Sequence, residues 1–398
     1  MPPYLAEPVP LFGPDFAADP HTTYARLRGY GPVAPVLLAP GVPAWLVTDY
    51  HAALSLLRDV VTWSKDPRSW QASVPSDCPV LPMIGYRSNA LFSDGEEHAR
   101  LRSVITDSLA MVDLGRLRAE VLRVADLLIA RFGGAGRADL VTQFTGPLPA
   151  MVLNRLFGLT DEHSRYRAAA LAAMLDAAGP EQATAGGAAF LACVSDLITL
   201  KSQVRGDDLT SWYLDHPARL TVEQVTQQVA LTLGAALEPT ANLISNAVSV
   251  LLSDRDHYSA LANGSLAVRS AIDEALRREP PMANYGTHYA RHDVVFYNTY
   301  IRPDEPVLVS YAAVNAGIGG GPAGSSGGGA HLAWSAGPHA CPARQPAFLI
   351  AMTAVERLSN ALGDLELAVP RYQLPWRPGT FQRALAQLPV TFTPVDLN

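Results

Sequence analysis

Cys341 is the residue from which chemistry can first be argued. It stands in "WSAGPHACPARQPAFLIAMTAVERL" (334–358), between a Gly-Pro-His turn and an apolar run with helical spacing. Backbone N–H groups of such a turn, and the N-terminus of a following helix, both favour a thiolate. Cys78 and Cys193 lie in apolar surroundings and read as small buried hydrophobes. A zinc centre needs four ligands, and His339 with Cys341 supplies two. A nucleophilic cysteine needs a histidine partner, which a distant part of the chain could provide, although no local protease signature is present. An axial haem ligand needs one thiolate only, and that fits the count best.

Other chemistry-bearing residues recur at one-turn spacing. His98 and Arg102 stand four apart in "GEEHARLR", and Glu274 and Arg277 three apart in "EALR". Each pair would share a helix face, where a Glu–Arg pair is usually a surface ion pair and a His–Arg pair a solvated face. "GAALEPTANLISNA" (234–247) sets Glu238, Pro239 and Thr240 side by side in an otherwise helical pattern.

These residues must be held by a mainly helical scaffold. Apolar residues recur at i, i+3, i+4 over 114–132, 147–158, 184–203, 221–253, 265–279 and 343–361. Thr221 and Gln224 form a capping box that opens the longest run, which would span roughly 48 Å at 1.5 Å per residue. Pro239 interrupts its middle, removing one helical hydrogen bond. Residues 32–50 read as two strands about a Pro-Gly turn, and 291–310 and "LPVTF" as further strands. In residues 316–330 eight of fifteen positions are glycine, which predicts a mobile surface loop with little secondary structure.

Composition bounds the possibilities. The 398 residues are 48% hydrophobic and 17% charged with a net charge of −7, which predicts a folded protein and argues against nucleic acid as ligand. Three widely spaced cysteines build no disulfide framework, so a reducing cytoplasm is expected. The N-terminal stretch has no signal-peptide pattern, and no run is apolar enough to predict a membrane span.

"WSAGPHACPA" resembles the haem-binding loop of the cytochrome P450 family, F-G-x-G-x-H-x-C-x-G. Gly337, His339 and Cys341 match; Trp334 stands for Phe, and Ser335 and Ala343 for Gly. "EALR" resembles the family's E-x-x-R, "GEEHARLR" its H-x-x-x-R, "GAALEPTANLISNA" its oxygen-activating segment and "LPVTF" its closing strand, all in family order and covering nearly the whole chain. The resemblance implies one triangular, mainly α domain (1–398) with small β-sheets and a long central helix. It implies heme b ligated by Cys341, with Gly337 in the binding loop and with His98, Arg102, His288 and His339 at the propionates. Glu238, Pro239 and Thr240 would occupy the proton-delivery segment. Gly234, Ala235, Trp70, Tyr86, Tyr285, Phe381 and Gln382 would line the substrate pocket, with the helix pair between 162 and 203.

Four departures from the family pattern bear on chemistry. His288 stands where an arginine usually binds a propionate, with Arg291 nearby. The loop before the cysteine turn lacks the arginine that usually completes the E-x-x-R network, so Glu274 and Arg277 would pair with each other. Ala343 is small enough to serve as Gly. Pro239 replaces the threonine whose hydroxyl assists proton delivery, and Thr240, rotated ~100° on a helix, is no substitute.

The expected function is a bacterial haem-thiolate monooxygenase of natural-product biosynthesis. It would act on a bulky, aromatic-containing small molecule or peptide and take electrons from a ferredoxin. Oxidative aromatic cross-linking without oxygen insertion is the alternative. An idle partner protein ranks last, because Cys341 is present.

Overall fold

In the computed structural model the described residues are 7–159, 180–253, 265–318 and 330–395. The long helical run forms one central helix, Val222–Ser253, opened by the expected reciprocal cap: Thr221 N–H donates to Gln224 Oε1 (3.1 Å) and Gln224 N–H to Thr221 Oγ1 (3.2 Å). The helix passes through Pro239 without ending. Helices Leu114–Phe132, Pro147–Leu156, Pro180–Gln203, Ser265–Arg278 and Arg344–Ala361 follow the other periodic runs closely. Tyr50–Arg58 and Gly95–Ala110, which periodicity did not single out, are helices as well.

The main sheet has six strands in the order Val9–Pro10, Val33–Ala39, Val42–Val47, Val307–Ser310, Asn284–Ala290, Trp63–Ser64. The expected hairpin is there: Val33–Ala39 and Val42–Val47 pair antiparallel, with Gly41 at φ 75° in the turn. Asn284–Ala290 carries no alternation that would announce it, because all but one of its residues are buried. Its register against Val307–Ser310 shifts between Tyr285 and His288, where Gly286 takes φ 66°. A bulge of this kind re-aims the side chains on either side of it.

The largest apolar cluster joins Leu114–Phe132, Ser265–Arg278 and Arg344–Ala361 to the second half of the central helix. That half, from Thr240 to Leu251, is buried all round. The first half is not, and its open face forms part of the site below.

Two expectations change. Residues 316–318 close the helix Tyr311–Ile318, which continues from the buried end of a strand until the glycines begin; 319–329 lie outside the described residues. By length and composition, Ala185–Gln203 is apolar enough to cross a membrane, contrary to the sequence reading. Its buried Phe190, Cys193, Val194, Leu197 and Ile198 nevertheless recur at helical spacing, and Ser195, Asp196 and Thr199 face outward.

Candidate active site

The cysteine loop is built on its own backbone. Cys341 N–H donates to the Trp334 carbonyl (2.8 Å), Ala340 N–H to Gly337 (3.1 Å) and Ser335 N–H to Leu332 (2.8 Å). Gly337 has φ 70°, and a Cβ there would lie 2.0 Å from the Leu57 carbonyl oxygen, so glycine lets the loop rest on the end of the Tyr50–Arg58 helix. Its role is to place Cys341. Ser335 also takes a left-handed φ of 61°. Replacing it with glycine is expected to relieve the strain at some entropic cost, a net gain of about 0.5–1 kcal/mol in thermal unfolding.

Buried Asn315 ties this loop to the helix bearing the E-x-x-R pair. Its Oδ1 accepts from Leu332 N–H (2.7 Å) and its Nδ2 donates to Leu276 O (3.1 Å). Glu274 bonds Arg277 and Arg278, each at 2.5 Å, and Arg277 needs no arginine from the glycine-rich run. Nothing in the chain announces the asparagine clamp, since a lone Asn in "YAAVNAG" has no pattern.

Cys341 is exposed, whereas Cys78 and Cys193 are buried. Its thiol is still crowded by protein, and burial pushes its pKa up against the opposing Ala343 N–H and the Arg102 guanidinium. The turn was expected to favour the thiolate; in the protein alone, loss of hydration outweighs it. A bound metal cation would reverse that balance.

Beside the thiol, basic groups converge from four segments. Arg102 donates to the Ala340 carbonyl, so the Gly95–Ala110 helix is fastened to the cysteine loop. The His98 ring stacks on His339 with centroids 3.9 Å apart, and His98 Nε2 is buried without a partner. His288 sits with Nδ1 2.5 Å from the Gly286 carbonyl. Burial, and then the charge of Lys65, hold His288 well below the usual histidine range. Burial also lowers His98 and His339, with Arg102 opposing protonation of both and Lys65 contributing at each. Arg291 turns away to Asp94 (3.0 Å). The group that sequence reasoning missed is Lys65, 5% exposed, whose Nζ donates to Thr287 O at 2.5 Å. In "TWSKDPR" it looks like an ordinary surface lysine.

The first half of the central helix has an open side. Ala235 is exposed and Gly234, Glu238 and Pro239 half-buried, in contrast to the enclosed half that follows. A Cβ added at Gly234 meets nothing within 4 Å. Thr240 is turned into the interior, 5% exposed, as its helical offset requires. Pro239 lies within the continuous helix and leaves the Ala235 carbonyl without its helical donor. Glu238 is not free: Arg377 donates to it at 2.6 Å and to Asn242 Oδ1 at 3.2 Å, and Asn242 Nδ2 donates to Gln382 (3.1 Å).

Of the expected pocket wall, Gln382 is thus joined to the central helix, and Tyr285 meets Phe381 edge-on at 6.1 Å. The Tyr285 hydroxyl donates to Met83 O (3.0 Å). A cavity is lined by Lys65, Ile84, Leu91, Phe92, Tyr285, Thr287 and Tyr289. Trp70 is core, 3% exposed and 6.2 Å from the Tyr289 ring, and Tyr86 lies under the Arg68 guanidinium at 4.7 Å. Trp70 is thus packed in the core.

The donor set fits an iron porphyrin. One accessible thiol, a cationic corner with an unpartnered His98 Nε2, and an open glycine-bearing helix face are what a flat dianionic macrocycle with an axial ligand requires.

Comparison with known proteins agrees with that geometry. No family model matches the chain. It is 32% identical over 395 residues to the cytochrome P450 monooxygenase PikC of Streptomyces venezuelae, covering 95% of this chain and 92% of that one. It is 29% identical to 2-hydroxy-5-methyl-1-naphthoate 7-hydroxylase of Streptomyces carzinostaticus, covering 94% and 95%. Among solved structures it is similar to testosterone-bound CYP154C4 from a Streptomyces species, with TM-score 0.89 and 27% identity over 97% of this chain and 98% of that one.

Proposed function

The chain belongs to the cytochrome P450 family, and from that premise we propose that it is a haem-thiolate monooxygenase that hydroxylates a bulky, aromatic-bearing small molecule. The observation that carries this reading is the exposed Cys341 held between the Trp334 carbonyl and the Arg344–Ala361 helix. One named relative is a monooxygenase and another hydroxylates a naphthoate. Electrons are assigned to a ferredoxin-type donor, and the three cysteines, not joined by disulfides, suit a reducing cytoplasm.

The cofactor assigned to the site is heme b, with Cys341 as its ligand and His98, Arg102, His288 and His339 toward its carboxylates. When bound, the haem supplies oxidation by molecular oxygen, and a thiolate ligand favours O–O cleavage. The rest is done by this chain. Ala340, clamped by Arg102, and Leu332, clamped by Asn315, fix the ligand loop. Tyr285, Phe381 and Gln382 confine a substrate against the Gly234–Ala235 face. Pro239 carries neither hydroxyl nor N–H, so a proton reaches this face from Glu238 or from a water on the Ala235 carbonyl. Glu238 delivers it only after leaving Arg377, its ion-pair partner.

Two substitutions test that route. Glu238→Gln is expected to slow turnover ~100-fold, the typical loss of an acid–base group. Pro239→Thr is expected to shift the balance between product and wasted peroxide. Unchanged turnover and coupling in both would place proton delivery elsewhere.

Pro239 also favours one second reading, oxidative aromatic coupling, in which the substrate's own phenol supplies the proton. Turnover under ¹⁸O₂ with a ferredoxin and its reductase, over a panel of polycyclic aromatic acids, steroids and aromatic peptides, separates the two. A product gaining one labelled oxygen supports hydroxylation; one that only loses two hydrogens establishes coupling.

A further inference from the structure

We propose that Lys65 supplies a cation that holds a haem carboxylate in this chain, adding to His288, whose Nδ1 is already engaged by the Gly286 carbonyl. A porphyrin dianion set into protein needs fixed positive charge beside its carboxylates, because an unpaired buried carboxylate is costly. His98 and His288 are driven toward their neutral forms, burial being the first cause in each. Arg102 is permanently charged, and it already serves the Ala340 carbonyl. One further cation is within reach.

Lys65 is 5% exposed, and lysine is almost never so buried without an anion. Its ammonium has three donors, and the bond described for it is to the Thr287 carbonyl, at 2.5 Å. Asp94, the nearby carboxylate, is occupied otherwise. Its oxygens accept from Ser64 Oγ (2.5 Å), from the Lys65 backbone N–H (3.1 Å) and from Arg291 (3.0 Å). Asp94 therefore holds the Lys65 backbone in place and acts on the ammonium through its charge, without a hydrogen bond to it among those described. The same aspartate precedes the helix that carries His98 and Arg102, so all three basic groups are positioned from one point.

A second observation points to an anion. His98 Nε2 and Thr287 Oγ1 are buried without partners, and Thr287 lines one cavity with Lys65. A carboxylate entering there would accept from the ammonium and satisfy donors that otherwise have none. Burial lowers Lys65 to about 7 in the protein alone, and the entry of an anion would restore its charge. The competing account makes Lys65 a strut, pinning Asn284–Ala290 to Trp63–Ser64 through Thr287 alone.

The test compares haem-loaded wild type with Lys65→Met and Lys65→Arg, following haem transfer to excess apomyoglobin and the ferric/ferrous midpoint potential. Loss of a charged hydrogen bond is expected to speed transfer about ten- to a hundredfold in Lys65→Met. The midpoint should become more negative, since a cation near the ring favours the reduced state, and Lys65→Arg should restore most of both. A Lys65→Met protein with wild-type circular dichroism that takes up no haem also supports the assignment. A variant that is less stable but transfers haem at the wild-type rate, with an unchanged potential, overturns it and leaves the strut. This inference rests on the haem reading. That reading fails if wild type itself shows no thiolate-type haem spectrum, an outcome distinct from failure of Lys65.

Discussion

Cys341→Ala is expected to abolish the red-shifted Soret band that the reduced, carbon-monoxide-treated wild-type protein should give. Cys78→Ala and Cys193→Ala should keep it, because both thiols are packed in the interior at 6% and 1% exposure. The difference follows from placement. Cys341 is the exposed cysteine, its sulfur beside the Ala343 N–H, the Arg102 guanidinium and the start of the Arg344–Ala361 helix. Loss of its side chain removes the one thiol that can reach a ligand at this face, while the loop's backbone bonds, Cys341 N–H to Trp334 O among them, survive. The variant should therefore fold and melt close to wild type. A wild-type spectrum of imidazole type, or a Cys341→Ala spectrum still of thiolate type, would sink the assignment.

Gly337→Ala is the second large effect, and it acts through geometry alone. The added carbon would sit 2.0 Å from the Leu57 carbonyl oxygen and 2.9 Å from its carbonyl carbon, and both belong to backbone that cannot swing aside. The residue also holds φ 70°, where an L side chain is strained. Strained backbone and overpacking each cost about 1–3 kcal/mol, so the cysteine loop must lift off the Tyr50–Arg58 helix. We expect near-complete loss of haem incorporation, with a lowered denaturant midpoint. Gly134→Ala is the control, since it lies outside the site and its added carbon meets nothing within 4 Å, and it should incorporate haem normally. Wild-type haem content in Gly337→Ala would show that the loop tolerates displacement.

Much of this architecture was legible in the chain. Helix periodicity placed the central helix to within a residue, because burial of one face imposes a 3.6-residue repeat on the sequence itself. The Thr221–Gln224 cap was legible for the same local reason, and so was the pairing of Glu274 with Arg277 one turn away. The strand Asn284–Ala290 was not, since a strand buried on both faces carries no alternation. Trp70 looked like a pocket residue and is core, because an aromatic ring gives no sign in sequence of which side it presents.

By itself, then, the sequence determined most of the helices, the Thr221–Gln224 cap and the thiol turn, all of which arise from interactions within a few residues. The tertiary structure alone decided the partners of the charges. Lys65 meets Thr287 across 222 residues and Arg377 meets Glu238 across 139. Asn315 joins Leu276 to Leu332. A charge or amide announces its type in sequence but not its partner, which is chosen when packing brings distant segments together and removes water from between them.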